Sequence, residues 1–196
     1  MKLLGISGSL SKHSKTGIAV NKALEFAKEF DESLETELVS LSDYDLVFCD
    51  GRNPDLYIGD TRRLIDKVTD ADVYIIGSPI YRGTFTGALK NLFDLIPNDA
   101  LKGKAVGIIA TGGSNHHFLA IEHHFKPIFG YFNAYTVPAG VYVNNSHYNN
   151  GELTDTEILE RLEKLSNQTV RLSALLKRPF NGPDQPEIKR ESLQST

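Results

Sequence analysis

Short apolar runs alternate along the chain with amphipathic segments, and this alternation predicts the order of the elements. An unbroken apolar run is typical of a strand that is buried on both faces of a sheet, whereas apolar residues at helical spacing indicate a helix with one buried face. The runs predict strands at residues 2–7, 36–39, 73–77, 105–110 and 135–143. The amphipathic segments predict helices at residues 16–30, 61–71, 85–96, 115–129 and 158–176.

Strands that alternate with helices predict parallel pairing, because a parallel pair needs a long right-handed crossover that a helix supplies. The predicted fold class is therefore α/β, with a doubly wound parallel sheet and helices on both faces. A polar stretch at residues 42–59, rich in Gly, Pro, Asp and Asn, predicts one long loop between the second strand and the second helix.

The composition changes at residue 177, and this change predicts the domain boundary. Three of the eight prolines, Pro179, Pro183 and Pro186, stand beyond it among charged residues, with few large apolar side chains. We expect a folded domain over residues 1–176 and a C-terminal extension over residues 177–196. Such an extension is either flexible or packed on a neighbouring subunit.

Composition and charge exclude several classes of protein. Hydrophobic residues make up 40% of the chain and charged residues 23%, which is typical of a globular protein. A formal net charge of −4 gives no overall attraction to nucleic acid or to an anionic membrane. The single cysteine, Cys49, excludes an internal disulfide and a multi-cysteine metal site. Because no apolar stretch has the length of a signal peptide or a membrane span, we expect a soluble cytoplasmic domain.

A loop rich in hydroxyl groups follows the first predicted strand, where ligands bind in sheets of this type. Its hydroxyls lead into the start of a helix, where free N–H groups and the positive end of the helix dipole attract an anion. His13 stands where a P-loop would need its Gly-Lys, and no Gly-x-Gly-x-x-Gly is present. The loop therefore favours a phosphate that is held but not transferred; the alternative is a polar turn whose Ser or Thr caps the helix. The hydroxyls are those of Ser9, Ser11, Ser14 and Thr16.

Two further loops follow the third and fourth predicted strands and favour a planar ligand. An aromatic residue between Pro and Gly offers an apolar surface for a ring, and neighbouring backbone N–H groups can bond its heteroatoms. Paired glycines let the backbone approach a ligand closely, although either loop alone could be a simple turn. Because the carboxyl ends of parallel strands meet at one sheet edge, we expect all three loops to form one site. The candidates in these two loops are Pro79, Ile80, Tyr81, Arg82, Gly83, Thr84, Thr111, Gly112, Gly113 and Ser114.

The sequence predicts neither a metal site nor a catalytic nucleophile. Histidines seven residues apart on a helix, such as His116 and His123, are separated by about 10.5 Å of helix rise, which is too far to share an ion. The neighbouring pair His117 and His124 has the same spacing. No Ser/His/Asp arrangement or carboxylate pair of hydrolytic type stands out.

Three motifs carry a resemblance to a known family. They are Ser78-Pro79-Ile80-Tyr81, the octapeptide at residues 87–94 (GALKNLFD) and Thr111-Gly112-Gly113. Together they resemble the NADPH-dependent FMN reductase family, and most closely the FMN reductases that supply two-component alkanesulfonate monooxygenases. The resemblance runs from residue 1 to about residue 142 and implies a flavodoxin-like sheet of five strands in the order 2-1-3-4-5.

The resemblance also implies roles for the three loops. It places the flavin phosphate at Ser9, Ser14 and Thr16, and the isoalloxazine ring against residues 79–84 and 111–114. Many relatives carry Arg where this chain has Ser11. We therefore expect loop N–H groups, hydroxyls and a lysine, Lys12 or Lys15, to offset the phosphate charge.

The function that follows is a flavin-dependent reductase in which NADPH or NADH delivers a hydride to FMN. This transfer needs no protein nucleophile, and Arg82 is a candidate for contacting the dinucleotide phosphates. The resemblance implies that reduced FMN leaves and reaches a partner monooxygenase, in sulfonate desulfonation. One alternative is a reductase that keeps its FMN and reduces quinones, azo dyes or metal oxyanions. A second alternative, a flavodoxin-like electron carrier, is disfavoured because such carriers are usually strongly acidic.

Pro127 predicts an irregularity in the fourth helix, because it has no N–H to donate to the carbonyl of His123. We expect a kink or a π-bulge between His123 and Pro127. The segment is similar to one in which alkanesulfonate-type reductases carry an inserted Tyr in a π-helix at a tetramer interface; here His123 takes that position. The apolar and aromatic residues that follow predict a homodimer or homotetramer. They are Phe125, Ile128, Phe129, Tyr131, Phe132 and Tyr135.

Overall fold

A parallel sheet forms the centre of the fold in the computed structural model, which describes residues 1–176. The predicted extension at residues 177–196 lies outside the described residues. The strands that build the sheet are β1 (Lys2–Ser7), β2 (Glu35–Ser40), β3 (Val73–Pro79), β4 (Ala105–Gly112), β5 (Tyr135–Thr136) and β6 (Val141–Asn144). The strand order is β2-β1-β3-β4-β5, with β6 also paired to β4, and every pairing is parallel. This is the flavodoxin-like order, as predicted.

Helices cover both faces of the sheet, because alternate strand residues point to opposite sides. Leu4 and Ile6 of β1 belong to the core between the sheet and helices α2 and α3. Leu3 belongs to the core on the opposite face, between the sheet and helices α1 and α5. The helices are α1 (Lys15–Phe30), α2 (Gly59–Asp70), α3 (Gly87–Leu95), α4 (Lys126–Tyr131) and α5 (Thr156–Leu175). Within residues 1–176, none of them combines the length and the apolar character that a membrane crossing requires.

The fifth strand is not continuous, so the prediction of one strand over residues 135–143 is wrong. Two short strands, β5 and β6, both pair with β4, and residues 137–140 separate them. Pro138 in this gap has no N–H for the ladder, and its carbonyl accepts a hydrogen bond from Lys126 Nζ at 2.6 Å. Gly140 lies so close to β4 that an added Cβ would stand 2.9 Å from the carbonyl oxygen of Ile108.

The segment after β4 is also less regular than the single helix predicted at residues 115–129. A 3₁₀ turn at Asn115–His117 is followed by a π-helix at Ile121–Phe125 and then by α4. Lys126 N–H donates to the carbonyl of Ile121, five residues back, which is the π pattern. The predicted π-bulge next to Pro127 is confirmed, although the continuous helix around it is not.

A small hairpin follows β6 and returns the chain towards the start of α1. It consists of β7 (Tyr148–Asn149) and β8 (Glu152–Leu153), which pair antiparallel. Its turn residues, Asn150 and Gly151, have φ angles of 48° and 87°, as a tight hairpin turn requires.

Candidate functional site

Three loops are tied together at the carboxyl ends of β1, β3 and β4. Gly8 N–H donates to the carbonyl of Gly77 at 2.7 Å, and this bond joins the first loop to the second. Ile80 N–H donates to the carbonyl of Thr111, also at 2.7 Å, and joins the second loop to the third. The hydroxyls of Thr16 and Thr111 are 2.6 Å apart and link the start of α1 to the third loop. The structure therefore brings together the loops that the sequence singled out.

A cavity of about 250 Å³ lies between these loops. Most of the predicted site residues line it, whereas Arg82, Gly83, Thr84 and Ser114 stand next to the lining in the chain but do not form it. The predicted residues in the lining are Ser9, Ser11, Ser14, Thr16, Pro79, Ile80, Tyr81, Thr111, Gly112 and Gly113. His13, Lys15, Val143, Asn145 and Tyr148 complete it.

The first loop ends in a helix start that is built to accept negative charge. Ser14 is the N-cap of α1, and its Oγ accepts the N–H of Gly17 at 2.9 Å. The first turn of α1 contains no acidic side chain to compete for the remaining N–H groups. The buried Ser9 accepts the N–H of Ser11 at 3.2 Å, which holds the loop in place. The helix cap that the sequence left as the alternative is present at Ser14, one of the residues predicted for the phosphate.

The second loop presents an aromatic ring on a strained two-residue turn. Tyr81 and Thr84 form an antiparallel bridge with N–H to carbonyl distances of 2.8 and 3.3 Å. Arg82 and Gly83, which lie between them, have φ angles of 54° and 89°. A positive φ is unfavourable for a residue with a Cβ, such as arginine, and is easily adopted by glycine. Tyr81 is 60% exposed beside the cavity, and Arg82 is exposed at the tip of the turn.

The base of the second loop is fixed by two hydroxyls. Ser78 Oγ accepts the N–H of Thr86 at 3.1 Å, and Thr86 Oγ1 donates to the carbonyl of Gly8 at 2.7 Å. Thr86 also caps α3 by accepting the N–H of Leu89. Because both hydroxyls are buried, this end of the loop is rigid while Tyr81 remains open to solvent.

Gly112 in the third loop allows an unusually close approach to an aromatic side chain. A Cβ added there would lie 2.0 Å from the hydroxyl of Tyr142, which itself donates to the carbonyl of Ser114 at 2.6 Å. Burial raises the pKa of the Tyr142 phenol, so it stays a neutral donor near pH 7. A side chain at this position would displace the group that fixes the loop.

Three lining residues that the sequence analysis missed follow or end the split fifth strand. Val143 lies in β6, Asn145 comes directly after it, and Tyr148 begins β7. The available signal was the general rule that ligands bind beyond the carboxyl ends of parallel strands. The same rule extends to the end of the last strand, where these three residues lie.

The cavity lining consists mainly of hydroxyl-bearing, aromatic and glycine residues. The lining combines hydroxyls and a helix start with Pro, Tyr and paired glycines, and it has no carboxylate among its described residues. Within residues 1–176, no group of three or more His, Cys, Asp or Glu side chains is placed to hold a metal. The four histidines near the π-helix are exposed, and His116 Nδ1 lies 2.9 Å from Ser114 Oγ.

Comparison with solved structures identifies the fold. Two solved structures share the fold, an oxidoreductase from Corynebacterium diphtheriae and the apo form of an NADH:FMN oxidoreductase. The former has a TM-score of 0.74 and 24% identity over 89% of this chain and 97% of that one. The latter has a TM-score of 0.75 and 24% identity over 93% of this chain and 91% of that one. The chain is thus a doubly wound α/β protein of the flavodoxin-like type.

The sequence comparisons show the family. Residues 1–148 match the NADPH-dependent FMN reductase family. An NAD(P)H-dependent FAD/FMN reductase of Geobacillus thermodenitrificans is 45% identical over 178 residues, which cover 90% of this chain and 96% of that protein. The NADH-dependent FMN reductase SfnF of Pseudomonas putida is 30% identical, over 84% of this chain and 89% of that protein. The chain belongs to the NADPH-dependent FMN reductase family and is an oxidoreductase, as the resemblance implied.

Proposed function

We propose that this protein is an NAD(P)H-dependent FMN reductase that takes up free FMN, reduces it and releases it. The observation that carries the proposal is the cavity between the three tied loops, which joins a capped helix start to an exposed tyrosine and a pair of glycines. These two groups of residues match the two chemically different parts of FMN, its phosphate and its ring.

At the phosphate end, we assign Ser9, Ser11, Ser14 and Thr16 as the groups that surround the anion. The N–H groups at the start of α1 and the positive end of its dipole stabilise negative charge there. The hydroxyls provide donors that can reorient towards phosphate oxygens. The absence of an arginine from the described residues that line the cavity supports an FMN that exchanges with solvent and is not retained.

At the ring end, residues 79–84 and 111–114 form the two surfaces between which we place the isoalloxazine. Pro79 and Tyr81 supply apolar contact area, and the backbone near Gly112 and Gly113 can approach the ring edge. The bound flavin supplies the hydride-accepting chemistry. The protein's part is to bind, to orient and to leave one face of the ring open to the nicotinamide, for which the solvent-exposed Tyr81 turn is suited.

The proposal extends to the partners of the protein. The resemblance to reductases of two-component alkanesulfonate systems supports transfer of the reduced flavin to a monooxygenase, in the cytoplasm, where reduced nicotinamide is available. The exposed apolar side chains Phe118, Leu119 and Tyr131 around the π-helix support a homodimer or homotetramer. In this scheme residues 1–176 form the reductase domain.

The main alternative is a reductase that retains its FMN, and one preparation separates the two. Protein freed of small molecules on a desalting column should be nearly colourless and should oxidise NADPH only when free FMN is added. The rate should saturate with FMN as with a substrate. Protein that stays yellow, with stoichiometric flavin and turnover independent of added FMN, would establish the alternative. Oxidation of neither NADPH nor NADH at any FMN concentration would contradict both.

A further inference from the structure

Lys15 is the one permanently charged side chain among the described residues that line the cavity. It is the first residue of α1, directly after the N-cap Ser14. Its side chain is half-buried, so its ammonium group is less free to move than that of the exposed Lys12. A phosphate monoester carries a charge of about −1.5 to −2 near neutral pH, which hydroxyls alone do not neutralise.

Two residues that come after β6 hold Lys15 in place. Lys15 Nζ donates to Asn145 Oδ1 at 2.9 Å and lies 5.1 Å from the centroid of the Tyr148 ring. The hydroxyl of Tyr148 donates to the backbone carbonyl of Lys15 at 2.7 Å. The side chain and the main chain of Lys15 are therefore fixed from the same segment, although this segment is far away in sequence.

The segment that carries these two residues is itself rigid. The buried Asn144 caps the 3₁₀ turn Asn145–His147: its Oδ1 accepts both the N–H and the hydroxyl of Ser146, at 2.8 and 2.6 Å. Asn144 N–H donates to His147 Nδ1 at 3.1 Å. Tyr148 then begins the β7–β8 hairpin. Asn145 and Tyr148 thus present fixed partners to a lysine whose free side chain would sample many rotamers.

We propose that Asn145 and Tyr148 position the ammonium group of Lys15 as the countercharge of the flavin phosphate. This inference rests on the proposed function and adds to it the residue that supplies the positive charge. Asn145 occupies one donor of the ammonium group and leaves others for phosphate oxygens. Asn145 and Tyr148 are positioning residues, because they act through Lys15.

The test compares the affinities of FMN and riboflavin, which differ only in the phosphate, for variants of the full chain. Lys15→Met should weaken FMN binding about tenfold to a hundredfold, the range for a lost hydrogen bond to a charged group, and should change riboflavin binding little. Lys15→Arg should keep the preference for FMN. Lys22→Met removes the same charge from another half-buried lysine of α1, which pairs with Glu25 and does not line the cavity, and it should leave both affinities unchanged.

Asn145→Ala should weaken FMN binding about threefold to tenfold, with riboflavin again nearly unaffected. The double variant Lys15→Met/Asn145→Ala should lose no more FMN affinity than Lys15→Met alone, because Asn145 acts through the lysine. The difference between FMN and riboflavin should also shrink with added salt in the wild type and much less in Lys15→Met.

Several results would overturn the proposal. Equal losses for FMN and riboflavin in Lys15→Met would mean that the lysine supports the fold of the site and not the phosphate. Full additivity of the two substitutions would show that Asn145 acts independently, and loss of the FMN preference in Lys12→Met but not in Lys15→Met would assign the charge to Lys12. Wild-type protein that binds neither flavin would instead overturn the proposed function itself.

Discussion

At the scale of single residues, Ser14 illustrates how one hydroxyl serves the fold and the proposed site. Its Oγ accepts the N–H of Gly17, lies 3.4 Å from Ser7 Oγ and lines the cavity. A capping hydroxyl can still donate its proton to a phosphate oxygen, since its acceptor role uses a lone pair. Stability and flavin binding must therefore be separated by the choice of substitution.

We predict that Ser14→Gly and Ser14→Ala weaken FMN binding equally but differ in stability. Glycine at an N-cap costs only a few tenths of a kcal/mol, whereas alanine costs about 1 kcal/mol. Loss of the hydrogen bond to the phosphate should reduce FMN affinity by about 1–3 kcal/mol in both variants, with riboflavin little changed. Chemical denaturation and flavin titration measure the two effects. An FMN loss that follows stability and differs between the two variants would contradict the assignment of Ser14 to the phosphate.

A second residue-scale prediction uses two adjacent glycines as a matched pair. Gly112→Ala should destabilise the protein by about 1–3 kcal/mol, because its Cβ would overlap the Tyr142 hydroxyl. It should also weaken flavin binding by shifting the third loop. An added Cβ at Gly113 would meet its nearest neighbour, Asn145 Nδ2, at 3.8 Å, an ordinary contact. Gly113→Ala should therefore unfold at nearly the wild-type temperature, and equal thermal shifts in the two variants would refute the argument.

The contrast between found and missed site residues has a physical reason. Ser9, Tyr81 and Gly112 can be recognised from local composition, because hydroxyl-rich, aromatic and glycine-rich loops differ from ordinary turns. Asn145 and Tyr148 carry no such signal. Their place in the site depends on where the chain returns after β6, and that depends on long-range packing which no short window of sequence contains.

At the scale of elements, the buried strands were predictable and the last part of the sheet was not. The apolar runs that form β3 and β4 are buried on both faces of the sheet, so their sequences favour a central strand over other structures. In the fifth strand, the residues between Tyr135 and Val143 also look apolar, but Pro138 and the close approach of Gly140 to β4 interrupt the ladder. The periodicity of apolar residues indicates which side chains are buried. It does not indicate where the hydrogen-bond ladder of a strand is interrupted.

The long loop between β2 and α2 shows how a single side chain can hold an irregular segment. Asn91 on α3 bonds the backbone on both sides of Phe48: its Nδ2 donates to the carbonyl of Val47 at 3.0 Å, and its Oδ1 accepts the N–H of Cys49 at 2.9 Å. Cys49 Sγ also lies 3.2 Å from the carbonyl of Asp94 at the end of α3. The sequence predicted a loop here but gave no sign of this anchor.

We predict that Asn91→Ala releases this loop and exposes the thiol of Cys49. Because the chain has one cysteine, reaction with a thiol reagent reports on this position alone. The rate of modification should rise about fivefold to a hundredfold under native conditions, since the two lost hydrogen bonds contribute about 1–3 kcal/mol to the closed loop. Lys90→Ala, which breaks the exposed pair with Asp94 on the same helix, is the control and should react at the wild-type rate. A thiol equally reactive in the wild type and in Asn91→Ala would show that Asn91 does not anchor the loop.

At the scale of the whole molecule, the π-helix connects the candidate site with an apolar surface. Within residues 1–176, no other part of the chain buries this surface. Ile121 and Phe125 point into the core, and the π-helix between them leads from the third loop of the site into α4. Just before it, Phe118 and Leu119 are 58% and 50% exposed, in a chain whose other large apolar residues mostly pack in two cores. Association of subunits through this face would bury these side chains close to the proposed flavin site.

We therefore predict a particle mass by light scattering of at least twice the chain mass of 21.7 kDa. Phe118→Glu/Leu119→Glu should shift the particle towards monomer, because charged side chains buried in an interface without partners oppose association. Leu56→Glu alters a similarly exposed apolar residue in the loop between β2 and α2, outside the segment around the π-helix, and it should leave the mass unchanged. Flavin affinity measured in the dissociated variant then tells whether the neighbouring subunit contributes to the site. A wild-type mass of 21.7 kDa, or a double variant that associates as the wild type does, would remove this face as the interface.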